Sequence, residues 1–398
     1  MHAGQTLSRW LRNRSVIGHT ARAIALIRVV QALLIGGRAS LTALGRARSG
    51  SAHVKHHIKA VDRLLGNQHL HGERDAVYRA IAQSLLAGVK RPVLAIDWSD
   101  FECGAGRKWT MIKAAVPVGG RAVVVYARAF PFKRYNSPGA HREFLQALKS
   151  VLPVACNPII VTDAGFRGPW FRMVESLGWD WVGRIRNKIK YLNEQTGRWC
   201  FTDSLYKQAT PVTRHLGEFR LSPRHGYRFR MYLVRAYAPA KGGRRRPSHG
   251  NMNTKLYRRL HRAPWLLATS LPHKKGSERQ IKRLYAQRMQ IEETFRDAKC
   301  HRWGFGLRYA RCNNAKRIEI LLLLAALAAL VLWLIGLAAR SLNLARHFQA
   351  NTERKKPVLS TIFIGRQLIQ RQQADLSDSL LKDMFQQLRG LVFQASPA

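Results

Sequence analysis

Four polar residues between positions 285 and 299 have types and spacing that could do chemistry on a helix: Tyr285, Arg288, Glu292 and Lys299. At about 100° per residue, the last three fall at roughly 300°, 340° and 320° relative to the tyrosine, so all four share an arc of about 60°. Leu284, Ile291, Phe295 and Ala298 form a separate apolar stripe, and Gln290, Glu293, Thr294 and Asp297 take the solvent side. One carboxylate, two cations and a phenol then lie at the shoulder between core and water, a set that suits a metal ion and a phosphate. The same spacing also permits an Arg288–Glu292 helix salt bridge, worth about 0.3–0.5 kcal/mol.

Two more carboxylates follow apolar runs upstream. Asp97 follows Val93-Leu-Ala-Ile96, and Asp163 follows Pro158-Ile-Ile-Val161 through Thr162. Each reads as the residue capping a strand, and alone each serves equally well as a strand-end turn residue. Strand ends in an open sheet meet at a shared cleft. With Glu292 from a neighbouring helix they would supply three hard oxygen ligands, the donor type that Mg²⁺ takes alongside water and substrate phosphate. Two such ions about 3.5–4 Å apart activate a nucleophile and stabilise the leaving oxygen of a phosphodiester. Clustered carboxylates repel one another unless metal is bound, and the chain has only 22 acidic residues to place. Arg288 and Lys299 would hold the phosphate beside the scissile bond, Arg288 in bidentate fashion. Tyr285 would donate its hydroxyl there or stack on a base.

Composition bears on the partner, although a basic bias of the whole proteome would also raise the charge. Lys and Arg number 68 over 398 residues, for a formal net charge of +46 spread along the whole chain. That surplus calls for a polyanion, nucleic acid first and an anionic membrane surface second. Cys103, Cys156, Cys200, Cys300 and Cys312 are odd in number and contain no CxxC pair, which points away from a zinc site or a disulfide framework and toward a reducing compartment. The opening MHAGQTLSRW lacks the pattern of a leader peptide. Ile320–Ala339 is uncharged and long enough to span a bilayer; beside the other motifs it is expected to be a buried core helix.

The elements that must position these residues change along the chain. Residues 1–80 read as helical and basic. A short helix over Ser40–Arg46, a turn with Ser51 as N-cap, and apolar spacing at Val54, Ile58, Val61 and Leu65 fit a helix-turn-helix or an ordinary basic bundle. Lys55, Lys59 and Arg63 on the second helix could enter a major groove. Strands begin near residue 90: a short run ending at Asp97, then Trp109–Val118 and Arg121–Ala129 joined by Gly119-Gly120, a hairpin signal. Helix, strand to Asp163, helix and strand around 179–185 follow. Residues 190–262 interrupt this alternation with short strand-like pieces and an aperiodic basic loop, Lys241–Gly250. A strand at Trp265–Leu271 precedes the helix carrying Glu292.

The Y-x2-R-x3-E-x6-K pattern, Asp97 in DWSD and Asp163 in TDAGFRGPW resemble the DDE transposases of the "IS four" insertion-sequence family. DRLLGNQHLH, PWLLATSLP, QRMQIEETFRDAK and HFQANT carry the resemblance from about residue 50 to 365. It implies an α/β fold with an RNase H-like catalytic core in two parts (86–190 and 263–345) around a β-rich insertion (191–262). A helical DNA-binding domain (1–85) and a C-terminal helical region (346–398) complete it. It further implies Asp97, Asp163 and Glu292 as ligands of Mg²⁺, or of Mn²⁺ in its place, and Tyr285, Arg288 and Lys299 as contacts to the transposon end. Cut-and-paste transposition of inverted-repeat DNA ends into target DNA is expected, through a hairpin. The working form is expected to be a homodimer, in the cytoplasm at the nucleoid and away from membranes. Hairpin formation in the family holds a flipped base on aromatics; Trp265 is a candidate by position, though a core strand tryptophan is the better reading of it, and Trp98 is a weaker candidate. Another RNase H-like nuclease and a catalytically inactive DNA-binding derivative remain the rival readings.

Overall fold

Polar side chains just upstream of apolar-periodic runs start most of the N-terminal helices. In the computed structural model these are α1 (His2–Arg12), α2 (Thr20–Gly36), α3 (Leu41–Arg46), α4 (Val54–Leu65) and α5 (Gln68–Leu86). Ser40 Oγ accepts the Ala43 N–H at 3.3 Å to open α3, and Asn67 Oδ1 accepts the Leu70 N–H at 2.9 Å to open α5. The expected cap of α4 at Ser51 is corrected: His53 is the N-cap residue and its side chain makes no capping bond. A Cβ on Gly45 would lie 2.7 Å from Ile58 Cα and 2.8 Å from its N, so glycine there lets α3 sit directly on α4. The structure describes residues 2–12, 16–102, 107–186, 189–193, 196–221, 226–235, 263–300, 302, 304–350, 352, 357–371 and 377–397. The Lys241–Gly250 loop, much of the expected insertion and Cys103 lie outside them.

The strands follow as β1 (Val93–Glu102), β2 (Lys108–Val118) and β3 (Arg121–Pro131), then α6 (Pro138–Val151), β4 (Ile159–Thr162), α7 (Gly168–Ser176) and β5 (Asp180–Ile185). Next come β6 (Lys190–Asn193), β7 (Arg198–Phe201), β8 (Arg214–Leu221), β9 (Tyr227–Val234) and β10 (Trp265–Thr269). The remaining helices are α8 (Ser277–Gln287), α9 (Gln290–Lys299), α10 (Ala315–Ser341), α11 (Thr361–Gln370) and α12 (Asp378–Ala395). Gly119 and Gly120, at φ 52° and 90°, turn β2 into β3, as the mirror-image hairpin turn requires.

The mixed α/β chain divides into two units, Met1–Asn157 with Met289–Ala398, and Pro158–Arg288. The first holds an antiparallel sheet in the order β3-β2-β1. The second holds β4-β5-β10-β9-β8-β6-β7, in which β4 and β5 run parallel and the rest antiparallel.

Asp97 does not end its strand, which corrects the sequence reading. β1 continues to Glu102, and its ladder with β2 runs from Ala95↔Ala115 through Asp97↔Lys113 to Glu102↔Lys108. The apolar run stops at Ile96, yet backbone pairing to β2 holds the polar continuation extended.

α10 is the core helix of the first unit. It is long and apolar enough to cross a membrane, with mean hydropathy 3.0, but 94% of that window is buried within the fold. It packs on β3, α2, α11 and α12. A Cβ on Gly336 would collide with the Thr361 carbonyl, and one on Gly365 with the Leu332 carbonyl; the α10–α11 crossing is therefore a backbone-to-backbone contact. Glu319 at the start of α10 is buried in an ion pair with Arg74 of α5, with Arg128 at 3.4 Å.

Candidate active site

In the first unit, α9 lies across β1, β2 and β3, fixed at several points along its length. Gln290 Oε1 accepts the Val118 N–H at 3.1 Å, Asp297 pairs with Arg121, and Lys299 Nζ donates to Ser99 Oγ at 2.7 Å and to the Asp100 carbonyl at 3.1 Å. Burial lowers the Lys299 pKa, with Arg308 acting in the same direction and Asp100 opposing. Because Ser99 meets α9 and strand side chains alternate, Asp97 shares the α9-covered face of β1. Its Oδ1 accepts the Trp98 N–H at 2.8 Å. Directly across the ladder stands Lys113, which belongs to none of the sequence motifs. Its ammonium is buried, 3.2 Å from the Thr294 carbonyl and 4.9 Å from the centre of the Phe295 ring, and burial pushes its pKa down to about 7. The signal was a single lysine inside the apolar run Met111–Val118. Glu292, in the first turn of α9, is exposed.

In the second unit, β4 delivers Asp163 immediately after its last residue. The Asp163 Oδ1 accepts the Gly165 N–H at 2.8 Å, and a Cβ at Gly165 would stand 3.0 Å from that oxygen. Trp265 begins β10, where it is 7% exposed, and meets the ring of Tyr285 edge-on at 4.9 Å. Tyr285 and Arg288 are 3% and 8% exposed. The phenol is hydrogen-bonded to Arg288 and to Arg184 of β5. Burial raises its pKa; the two arginines pull the other way, and Asp163 adds to the rise. Arg184 is the second residue missed from sequence. It is buried, donates to the Ala263 and Pro264 carbonyls at 3.0 and 3.2 Å, and has its pKa lowered by burial. An arginine alternating with apolar residues in Trp181–Ile185 was its only mark.

The expectation of one helix from Tyr285 to Lys299 is corrected. α8 ends at Gln287 and α9 starts at Gln290. Across the joint the Arg288 N–H donates to the Tyr285 carbonyl at 3.0 Å and the Glu292 N–H to the Met289 carbonyl at 3.3 Å. These three-residue bonds tighten the turn between the two helices. Asp163, Trp265, Tyr285 and Arg288 belong to one unit; Asp97, Glu292 and Lys299 belong to the other. Trp98 points to the opposite face from Asp97, its Nε1 3.3 Å from His141 Nε2. Lys55, Lys59 and Arg63 are exposed on α4.

Among the described residues, no three His, Cys, Asp or Glu side chains form a group that could hold a metal ion. Asp97, Asp163 and Glu292 each carry carboxylate oxygen, the donor type hard cations such as Mg²⁺ take, with Asp163 in a different unit from the other two.

Each unit thus presents one of the two motif aspartates, Asp97 within β1 and Asp163 just past β4. The family model described as the transposase DDE domain matches residues 88–329, well over half of the chain, and the chain belongs to that family: it is a DDE transposase. No curated protein matches it.

Proposed function

We propose that this transposase moves an insertion sequence by cut-and-paste and belongs to the "IS four" family, with similarity to the transposase of the transposon "Tn ten". The observation that carries the reading is the family match over 88–329 together with the Y-x2-R-x3-E-x6-K run inside it. In this reading the catalytic core is RNase H-like and in two parts, 86–190 and 263–345, around a β-rich insertion at 191–262. Residues 1–85 bind DNA, and 346–398 form the C-terminal helical region. Asp97, Asp163 and Glu292 are the metal ligands. A bound Mg²⁺ would activate the attacking oxygen and stabilise the leaving one.

The chain's own residues supply the positioning. Arg288 and Lys299 hold the phosphate of the transposon end. Tyr285, whose raised pKa keeps its hydroxyl protonated at neutral pH, donates to the same backbone. Trp265, buried in β10 and edge-on to Tyr285, is a core residue that backs the Tyr285 ring. Lys55, Lys59 and Arg63 follow the duplex phosphates. Each chemical step is an in-line displacement at phosphorus. Water cuts one strand; the freed 3′-OH attacks the opposite strand, giving a hairpin and releasing the flanking end; water reopens the hairpin; the 3′-OH attacks a target phosphodiester and displaces the 3′-oxygen of the target strand. Two copies of the chain pair the two ends, in the cytoplasm at the nucleoid.

The test mixes purified protein with labelled DNA carrying the element's own end, in Mg²⁺ or EDTA, and compares wild type with Asp163→Ala. Metal-dependent nicks, hairpins and joined products from wild type alone are expected. Binding without cleavage by wild type on a verified end overturns the reading.

A further inference from the structure

Beyond β3 the chain makes a 3₁₀ turn at Phe132–Arg134 and leaves two aromatic rings in solvent. Phe132 is 41% and Tyr135 44% exposed, and their rings lie parallel, 5.8 Å apart with a 4° interplanar angle. Scattered exposed apolar residues are ordinary, but this pair is built. The Tyr135 N–H donates to the Phe132 carbonyl at 2.9 Å, and Asn136 follows at φ 54° to turn the chain into α6. The Tyr135 ring stands edge-on to buried Trp98 at 5.6 Å, which fixes its plane. Cations surround the pair. Lys108 Nζ lies 5.9 Å from the centre of the Phe132 ring, and Lys133 and Arg107 are exposed nearby in the chain. Arg134 is held over Phe130 and pairs with Glu143 at 2.9 Å, so its charge is partly offset. Because the Trp98 and Asp97 side chains leave β1 on opposite faces, this platform is separate from the Asp97 face.

We propose that Phe132 and Tyr135 form a stacking platform for an unpaired DNA base, with Lys108 and Lys133 taking the flanking phosphates. Exposed rings with adjacent cations are the chemistry by which proteins hold single-stranded nucleic acid without reading its sequence. The proposal rests on the reading of the chain as DNA-acting but on none of its catalytic residues.

The test uses the full-length protein in EDTA with a short fluorescent oligothymidylate, so it needs neither metal nor a transposon end. Phe132→Leu with Tyr135→Leu keeps apolar bulk and removes both π faces. It is expected to weaken binding about 10-fold or more, while Tyr135→Trp retains wild-type affinity. An oligonucleotide carrying 5-iodouracil is expected to crosslink to the peptide containing Phe132–Tyr135. Affinity within about twofold of wild type in the double variant, or crosslinks only elsewhere on the basic surface, overturns the proposal. If the double variant misfolds, crosslink mapping on wild type decides. Failure to cleave transposon ends would sink the cut-and-paste reading and leave this result standing.

Discussion

Lys113 stands directly opposite Asp97 on the β1–β2 ladder, with its ammonium buried between the Thr294 carbonyl and the Phe295 ring. A lysine that titrates near 7 when folded and near 10.5 when unfolded binds fewer protons folded than unfolded across that window. Stability therefore rises with pH between about 7 and 10.5, and the cost of burying the charge is fully present below 7. Lys113→Met is expected to stabilise the chain by about 1–3 kcal/mol at about pH 6, less than the full shift because the lysine keeps two partners. The gain should fade as pH rises. Urea midpoints measured across pH check this; parallel profiles for the two proteins would show that Lys113 carries no such penalty.

Carboxylate-to-amide changes should separate chemistry from folding. Asp163→Asn keeps an oxygen for the Gly165 N–H, and Glu292 is exposed, so Asp163→Asn and Glu292→Gln should each shift stability by no more than about 0.5–1 kcal/mol. Strand cleavage should fall at least about 100-fold, with end binding in EDTA unchanged. Gel shifts beside single-turnover cleavage read both. A variant that cleaves at the wild-type rate removes its residue from the catalytic set.

Tyr285→Phe preserves the edge-on contact with Trp265 but removes the hydroxyl between Arg184 and Arg288. The thermal midpoint should move little, since one hydrogen-bonded group is worth about 1 kcal/mol. End cleavage should drop about 10-fold or more. Loss of folding with no separate catalytic defect would make Tyr285 a packing residue only.

Gly45→Val should be costly out of proportion to its size. Any Cβ there meets the Ile58 backbone, so α3 and α4 must separate, at about 2–4 kcal/mol. Duplex binding should weaken with it. A denaturation midpoint equal to wild type would show that the two helices part freely.

On α4, Lys55→Ala, Lys59→Ala and Arg63→Ala should each reduce the slope of log affinity against log salt by about 1. Fluorescence anisotropy over a salt series measures it. Slopes unchanged in all three would place the DNA track elsewhere on the chain.

Local patterns were legible where one short-range force decides the outcome. The Gly119-Gly120 hairpin, the short helix after Ser40 and the helical spacing of α4 all follow from neighbours a few residues apart. Burial of α10 followed once other motifs supplied something to bury it. The misses came from long-range partners. β2 extends β1 past Asp97, which no apolar run announces. Backbone bonding at Arg288 and Met289 breaks what looks like one amphipathic helix. Lys113 and Arg184 are isolated cations within apolar strands; their surroundings come from α9 and from the 263–264 segment, far along the chain. The division of the polar residues between two units likewise depends on which segments pack together, and residue spacing carries no record of that.

α10 also sets an order on the protein's synthesis. When its apolar stretch leaves the ribosome it meets the requirement for membrane insertion, and only surfaces already made, α2 and β3 among them, can compete for it. The backbone contact at Gly336 and Gly365 closes later, when α11 arrives. A message cut before residue 361 would therefore yield a chain whose central helix has lost two walls, α11 and α12, and whose exposed apolar surface favours bilayers and aggregates over DNA.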